Sequence, residues 1–167
     1  MKKIAILLTL LLAGLSAMAE DNFIQTKTIK ASGKKIVSEG TYSFKAPDQL
    51  VMQYTKPEGD YFIIDGPIIR LDMRGTAADL DTSNNPVARA QRNTLLNSLS
   101  GNYKAIAADM DASISETEKG GVKTVTITAN KKAAKGYSGL VLTYKGGKLI
   151  KMVLDEFNGI STEYVLN

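Results

Sequence analysis

Apolar side chains fall on every second position over much of the chain. Tyr42 and Phe44, then Leu50, Met52 and Tyr54, then Phe62 and Ile64, then Ile69, Leu71 and Met73 form four such rows in quick succession. Side chains alternate across a β-strand, so each row occupies one face, and consecutive hairpin-linked strands can turn their rows to the same side. The pattern predicts a meander. A strand over Phe23 to Lys30 turns at Ala31-Ser32-Gly33 into a second over Lys35 to Phe44, and Pro47-Asp48 leads into a third over Gln49 to Tyr54. Pro57-Glu58-Gly59 is the next turn, followed by Tyr61 to Ile64 and Ile68 to Arg74, joined through Asp65-Gly66, a dipeptide suited to a tight hairpin.

From Gly75 to Asn85 the residues become small and polar, which reads as a flexible loop. Asn84-Asn85-Pro86 then gives a helix start, with asparagine as N-cap and proline at the first helical position. Beyond it Leu95, Leu96, Leu99, Tyr103, Ile106 and Met110 recur three or four apart and share a face, leaving Arg89, Arg92 and Lys104 to water. Ser100-Gly101 interrupts the block. Period-two order then returns: a weak strand near Ala112 to Glu116, then Val122 to Ala129, Leu140 to Tyr144 with Leu149 to Leu154, and Ile160 to Leu166. Gly120-Gly121, Gly146-Gly147 and Asn158-Gly159 mark the turns, and the Lys-Ala run at 131 to 135 reads as a solvated loop. A mainly β chain with one helical insertion has a single way to bury the apolar helix face, which is against the concave side of a curved antiparallel sheet. The expected architecture is that sheet under a helical lid.

The first nineteen residues change what this fold is for. Lys2 and Lys3, an apolar run from Ile4 to Leu15 and then Ala17-Met18-Ala19 make a secretory signal cleaved near Ala19. The remaining residues 20–167 suit one domain. No later segment is apolar for long enough to span a bilayer. An exported product is the expectation, without a cysteine for a lipid anchor or a disulfide. The formal net charge of +4 includes the two leader lysines, so the mature chain is nearly balanced and nucleic acid is a poor partner.

Candidate chemistry is sparse. The chain has no histidine and no cysteine, which removes the commonest proton carrier, zinc ligand and thiol nucleophile. Ser32-Gly33-Lys34-Lys35 has the Ser-x-x-Lys order of some acyl-transfer enzymes, but it sits at a hairpin tip where those enzymes open a helix. Asp79 with Asp81 and Asp109 with Asp111 are paired carboxylates lacking a third partner at a defined spacing. The reading is therefore not an enzyme, with no metal and no cofactor. Methionine adapts to irregular apolar neighbours, and Met52, Met73 and Met110 all lie in the rows above. Periodicity alone does not separate a filled core from a cavity that holds a ligand.

Phe23-x-Gln25-x-Lys27, then Gly40-Thr41-Tyr42-Ser43-Phe44, then the run from Lys45 to Asp60 that reads KAPDQLVMQYTKPEGD, resembles the LolA-like family of periplasmic outer-membrane lipoprotein carriers. Phe62 to Arg70, Asn85-Pro86, the Leu95-Leu96 region and the closing stretch from Leu154 to Tyr164 continue the likeness over nearly the whole mature chain. The resemblance implies an incompletely closed antiparallel β-barrel whose open side is covered by helices. Its apolar cavity would shield acyl chains, lined here by Tyr42, Phe44, Leu50, Met52, Tyr54, Phe62, Ile64, Ile69, Leu71 and Met73, with Leu95, Leu96, Leu99, Tyr103, Ile106 and Met110 as the lid. The implied partners are acylated lipoproteins or lipids, an inner-membrane ABC transporter and an outer-membrane acceptor, met by a monomer. A sensor or regulatory module on the same fold is the alternative. Two departures stand out. The family's carriers place an arginine that helps hold the lid directly before the strand-opening proline, where this chain has Ala46, and Lys45 is one residue off and faces the other way. The carriers also have a helix ahead of the first strand, whereas only three mature residues precede Phe23, so the block from Pro86 to Met110 must do the covering.

Overall fold

A computed structural model describes residues 20–133 and 136–167, so the expected leader and part of the Lys-Ala run lie outside the described residues. Six strands come first: β1 (Asp21–Ile29), β2 (Lys34–Lys45), β3 (Gln49–Lys56), β4 (Glu58–Asp65), β5 (Ile68–Met73) and β6 (Thr76–Asp81). Two helices follow, α1 (Pro86–Leu99) and α2 (Tyr103–Met110). Five more strands end the chain: β7 (Ala112–Lys119), β8 (Val122–Ala129), β9 (Tyr137–Lys145), β10 (Lys148–Glu156) and β11 (Ile160–Leu166).

All eleven strands form one antiparallel sheet in the order β6-β5-β4-β3-β2-β1-β11-β10-β9-β8-β7. Every neighbour is a hairpin partner except the central pair, where β1 and β11 run from Phe23 opposite Leu166 to Ile29 opposite Ile160. The edges β6 and β7 do not pair with each other, so the sheet stays open as a half-barrel. The chain must pass from one edge to the other, and α1 and α2 make that crossing. Their place over the sheet therefore follows from connectivity as well as from their apolar face.

One expectation is corrected. Gly75 to Asn85 was expected to be a flexible loop, but Thr76–Asp81 is β6, paired with β5 from Ile68 opposite Asp81 to Met73 opposite Thr76. Asp79 and Asp81 therefore stand on a strand. An edge strand has one hydrogen-bonded neighbour and needs little apolar surface; only Ala78 and Leu80 face inward, and small polar residues suffice for the rest. The weak strand near Ala112 likewise extends to Lys119 as the opposite edge.

The helix signals act as written. The Asn85 side chain accepts the Ala88 N–H at 3.0 Å, and Pro86 follows in the first turn. Gly101, at φ +74°, separates the two helices, and Asp111 ends α2 in a left-handed conformation. Gly40 has a different role. A Cβ there would collide with the Gln53 carbonyl and the Phe23 ring, so the sheet's inner surface at this point is built by Phe23 lying over a bare backbone. That ring meets Tyr54 edge-on at 5.1 Å between centroids.

Candidate functional site

Strand register places the predicted apolar rows on one face. Phe44, Leu50, Ile64, Ile69 and Leu80 stand opposite one another across β2 to β6, and Tyr42, Met52, Phe62, Leu71 and Ala78 form the next row. Tyr54 and Met73 continue the same face towards the far end of their strands. Leu50, Ile64 and Ile69 are 2%, 1% and 0% exposed, whereas Phe44, Leu71 and Met73 are half-buried at the margin. Leu95, Leu96 and Ile106 are buried in the same apolar cluster, with Leu99, Tyr103 and Met110 packed against it, and the helices lie closest to β7, β8 and β10. All the predicted cavity and lid residues thus belong to one apolar cluster.

The sequence reading left out the second half of that cluster. Leu154, Leu140 and Ile127 form a row across β10, β9 and β8, and Met152, Leu142 and Val125 form another. All six are buried. Their alternation was visible in the sequence; what was missing was the β1 to β11 pairing that folds both halves around one interior.

Among the described residues, two side-chain hydrogen bonds tie α1 to the sheet. The Arg92 Nε–H donates to the carbonyl of Gly66 in the β4–β5 turn. Nearly two turns further on, the buried Tyr144 hydroxyl donates to the Ser98 carbonyl at 2.8 Å. Arg92, expected to stay wet, is half-buried by its contact. At the start of α2 the Lys123 ammonium donates to the Tyr103 hydroxyl at 2.6 Å and pairs with Glu116 at 2.7 Å. The Glu116 and Tyr103 hydrogen bonds raise the Lys123 pKa further, keeping this corner charged and bound together. An open pocket of about 340 Å³ lies here at the joint between the helices, walled by Tyr103, Tyr144, Lys123 and Glu118.

The inner face also carries polar groups. The Tyr54 hydroxyl donates to Gln25 Oε1 at 3.1 Å, and Gln25 Nε2 donates to the Tyr164 hydroxyl at 2.8 Å. Burial raises the Tyr164 hydroxyl to about 12 against the lowering effect of the Gln25 hydrogen bond, and burial raises Tyr54 as well. Both phenols are therefore protonated at neutral pH.

The remaining candidates are structural. The Ser32 hydroxyl accepts the Lys34 N–H within the hairpin tip. Asp79 lies 3.8 Å from Arg70, and Asp81 caps the following turn through the Ser83 N–H. Asp111 closes α2 and binds Asn130 and Lys131, while Asp109 is exposed on the helix. Among the described residues no cluster of acidic side chains is arranged to hold a metal ion.

A family model described as "Outer membrane lipoprotein carrier protein LolA" matches residues 15–167. The chain belongs to the LolA family. Solved structures with a similar course include a LolA superfamily protein from Nitrosomonas europaea, at 9% identity and a TM-score of 0.42 over 89% of this chain and 83% of that one. Lipoprotein LppX from Mycobacterium tuberculosis is 12% identical, with a TM-score of 0.38 over 91% of this chain and 86% of that one. A putative outer membrane lipoprotein-sorting protein domain from Vibrio parahaemolyticus is 10% identical, with a TM-score of 0.36 over 90% and 84%. No curated protein matches. Within this LolA-family chain Ala46 is exposed in the β2–β3 turn, and Lys45 faces outward at the end of β2. The contact that joins the lid to this end of the sheet comes from the helix instead, through Arg92. The Gly66 N–H donates to the Asp48 carbonyl at 3.1 Å, so the turn that receives Arg92 is itself tied to the turn that contains Ala46.

Proposed function

We propose that this protein is a periplasmic carrier that shields the acyl chains of lipoproteins, or of another lipid, between its curved sheet and the α1–α2 cover. On this reading residues 20–167 are one carrier domain released by cleavage near Ala19. It takes cargo at the inner membrane and passes it to an acceptor at the outer membrane.

The observation that carries the proposal is where the cover is attached. The apolar rows from Tyr42 to Met73 share one cluster with the apolar face of the helices, and the helices take no part in the hydrogen-bonded ladder. Lifting α1 breaks tethers such as those at Gly66 and Ser98 and leaves every strand pair intact. An interior can then open without unfolding the sheet. The energetic need is plain, since each acyl CH₂ left in water costs about 0.8 kcal/mol, and a lipidated protein does not leave a membrane at a useful rate unless its chains are covered.

Native mass spectrometry of protein recovered from the periplasm tests the proposal, together with titration of a fluorescent acyl probe. Bound lipid or acylated protein, and saturable probe uptake, are expected. Bare polypeptide and no uptake would sink it.

A further inference from the structure

We infer that the inner face holds a polar subsite for the carbonyl end of an acyl ligand, formed by Tyr164 and Gln25 with Lys27 at its rim. This rests on the carrier reading above and names the part of the ligand that the apolar rows do not address. Register sets the geometry: Gln25 stands opposite Ser38 on β2 and Tyr164 on β11, and Lys27 stands opposite Ile36 and Thr162, so all of these share the face that carries Phe23.

Exposure changes sharply along that face. Phe23 and Tyr54 are 1% and 4% exposed, but one step beyond them Gln25, Tyr164, Ser38 and Ile36 are only half-buried, and Lys27 is exposed while Thr162 opposite it stays buried. The polar groups thus begin where this face becomes more exposed. An amphiphile with its chain among the rows under α1 would bring its head to this place.

The hydrogen-bond inventory says what the head must offer. Three side chains make two bonds, Tyr54 to Gln25 and Gln25 to Tyr164. A chain of two phenols and one amide with two bonds leaves one phenolic hydrogen and one amide hydrogen over, whichever way the amide is turned. The arrangement in the structure leaves the spare phenolic hydrogen on Tyr164, the residue that is less buried as a whole, and not on Tyr54. Donation along the chain polarises the last hydroxyl towards an acceptor. Two spare donors side by side select an oxygen acceptor such as an ester or carboxyl carbonyl, and Lys27 beyond them adds attraction for a carboxylate.

Three probes separate the contributions: diphenylhexatriene, which has no polar atom, parinaric acid, and its methyl ester. The full-length mature protein is expected to bind all three. Tyr164→Phe should weaken the acid and the ester about fivefold each, the loss of one neutral hydrogen bond, and leave diphenylhexatriene unchanged. Lys27→Ala should weaken the acid alone, which distinguishes a free carboxylate from an ester. Equal weakening of all three probes by Tyr164→Phe, or weakening of none, overturns the subsite while leaving the carrier reading in place. If the unaltered protein binds none of the three, the carrier reading falls and the subsite with it. Should Tyr164→Phe fold poorly, Gln25→Met removes the amide donor at similar volume and is held to the same pattern.

Discussion

If α1 lifts over an intact sheet, loosening the two side-chain bonds that tie it there must expose the interior faster by a calculable factor. The perturbation is Arg92→Ala together with Tyr144→Phe. Tyr144 loses a buried neutral hydrogen bond to Ser98, worth about 1 kcal/mol, and the Ser98 carbonyl keeps its contact with the Gly101 N–H. Arg92 loses a charge-assisted bond to Gly66 that is half in solvent, about 1.5 kcal/mol. The two contacts share no partner, so the effects should nearly add, to about 2.5 kcal/mol, or about a 60-fold larger opening constant. The chain has no cysteine, so Met52→Cys places a single reporter thiol on the covered face. Its labelling by a maleimide should run about 60-fold faster when both tethers are removed, with weak dependence on low urea because lid opening exposes little surface. Equal rates would show that these bonds do not hold the cover. A rate that climbs from zero urea with the slope of global unfolding would refute a separately moving lid.

Other perturbations probe the remaining steps. Met52→Glu sets a charge among buried apolar side chains, and the folded variant should lose acyl-probe uptake; retained uptake would remove β3 from the cavity wall. Gly40→Ala forces a methyl group into the Gln53 carbonyl and the Phe23 ring and should lower stability by about 1–3 kcal/mol, seen as a lower urea midpoint at unchanged slope. Burial alone would raise the Asp155 carboxyl, but hydrogen bonds from Lys30 and Ser161 and the Lys30 charge outweigh it and lower its pKa. Its contribution is then present above the usual aspartate value of about 3.9 and is lost as pH falls through the lowered folded value. Asp155→Asn should cost under about 1 kcal/mol at pH 7, and its stability difference from the unaltered protein should shrink towards about pH 2. A difference that is constant with pH would mean that the ion pair contributes nothing.

Much of this architecture is legible locally. The alternation in Leu50, Met52 and Tyr54, the asparagine cap before Pro86 and the glycine pairs at 120–121 and 146–147 each specify their own piece of backbone, because the forces behind them act within a few residues. β6 was illegible for the converse reason: Ala77 and Ala78 have no strand preference of their own, and the segment is extended because β5 offers it an unpaired edge. The apolar site was half legible. The rows could be seen, but rows on β8 to β10 join those on β3 to β5 only through a pairing between the two ends of the chain.

The sequence by itself thus determined the strands other than β6, most turns, the helical insertion and which side chains are apolar together. The tertiary structure decided what those side chains enclose. Pairing β1 with β11 brings Gln25 within hydrogen-bond reach of Tyr164, 139 residues away, and closure of the cover brings Arg92 to Gly66 and Tyr144 to Ser98. No local pattern encodes such meetings, because each is set by the register of distant strands and by the path the chain must take between two open edges.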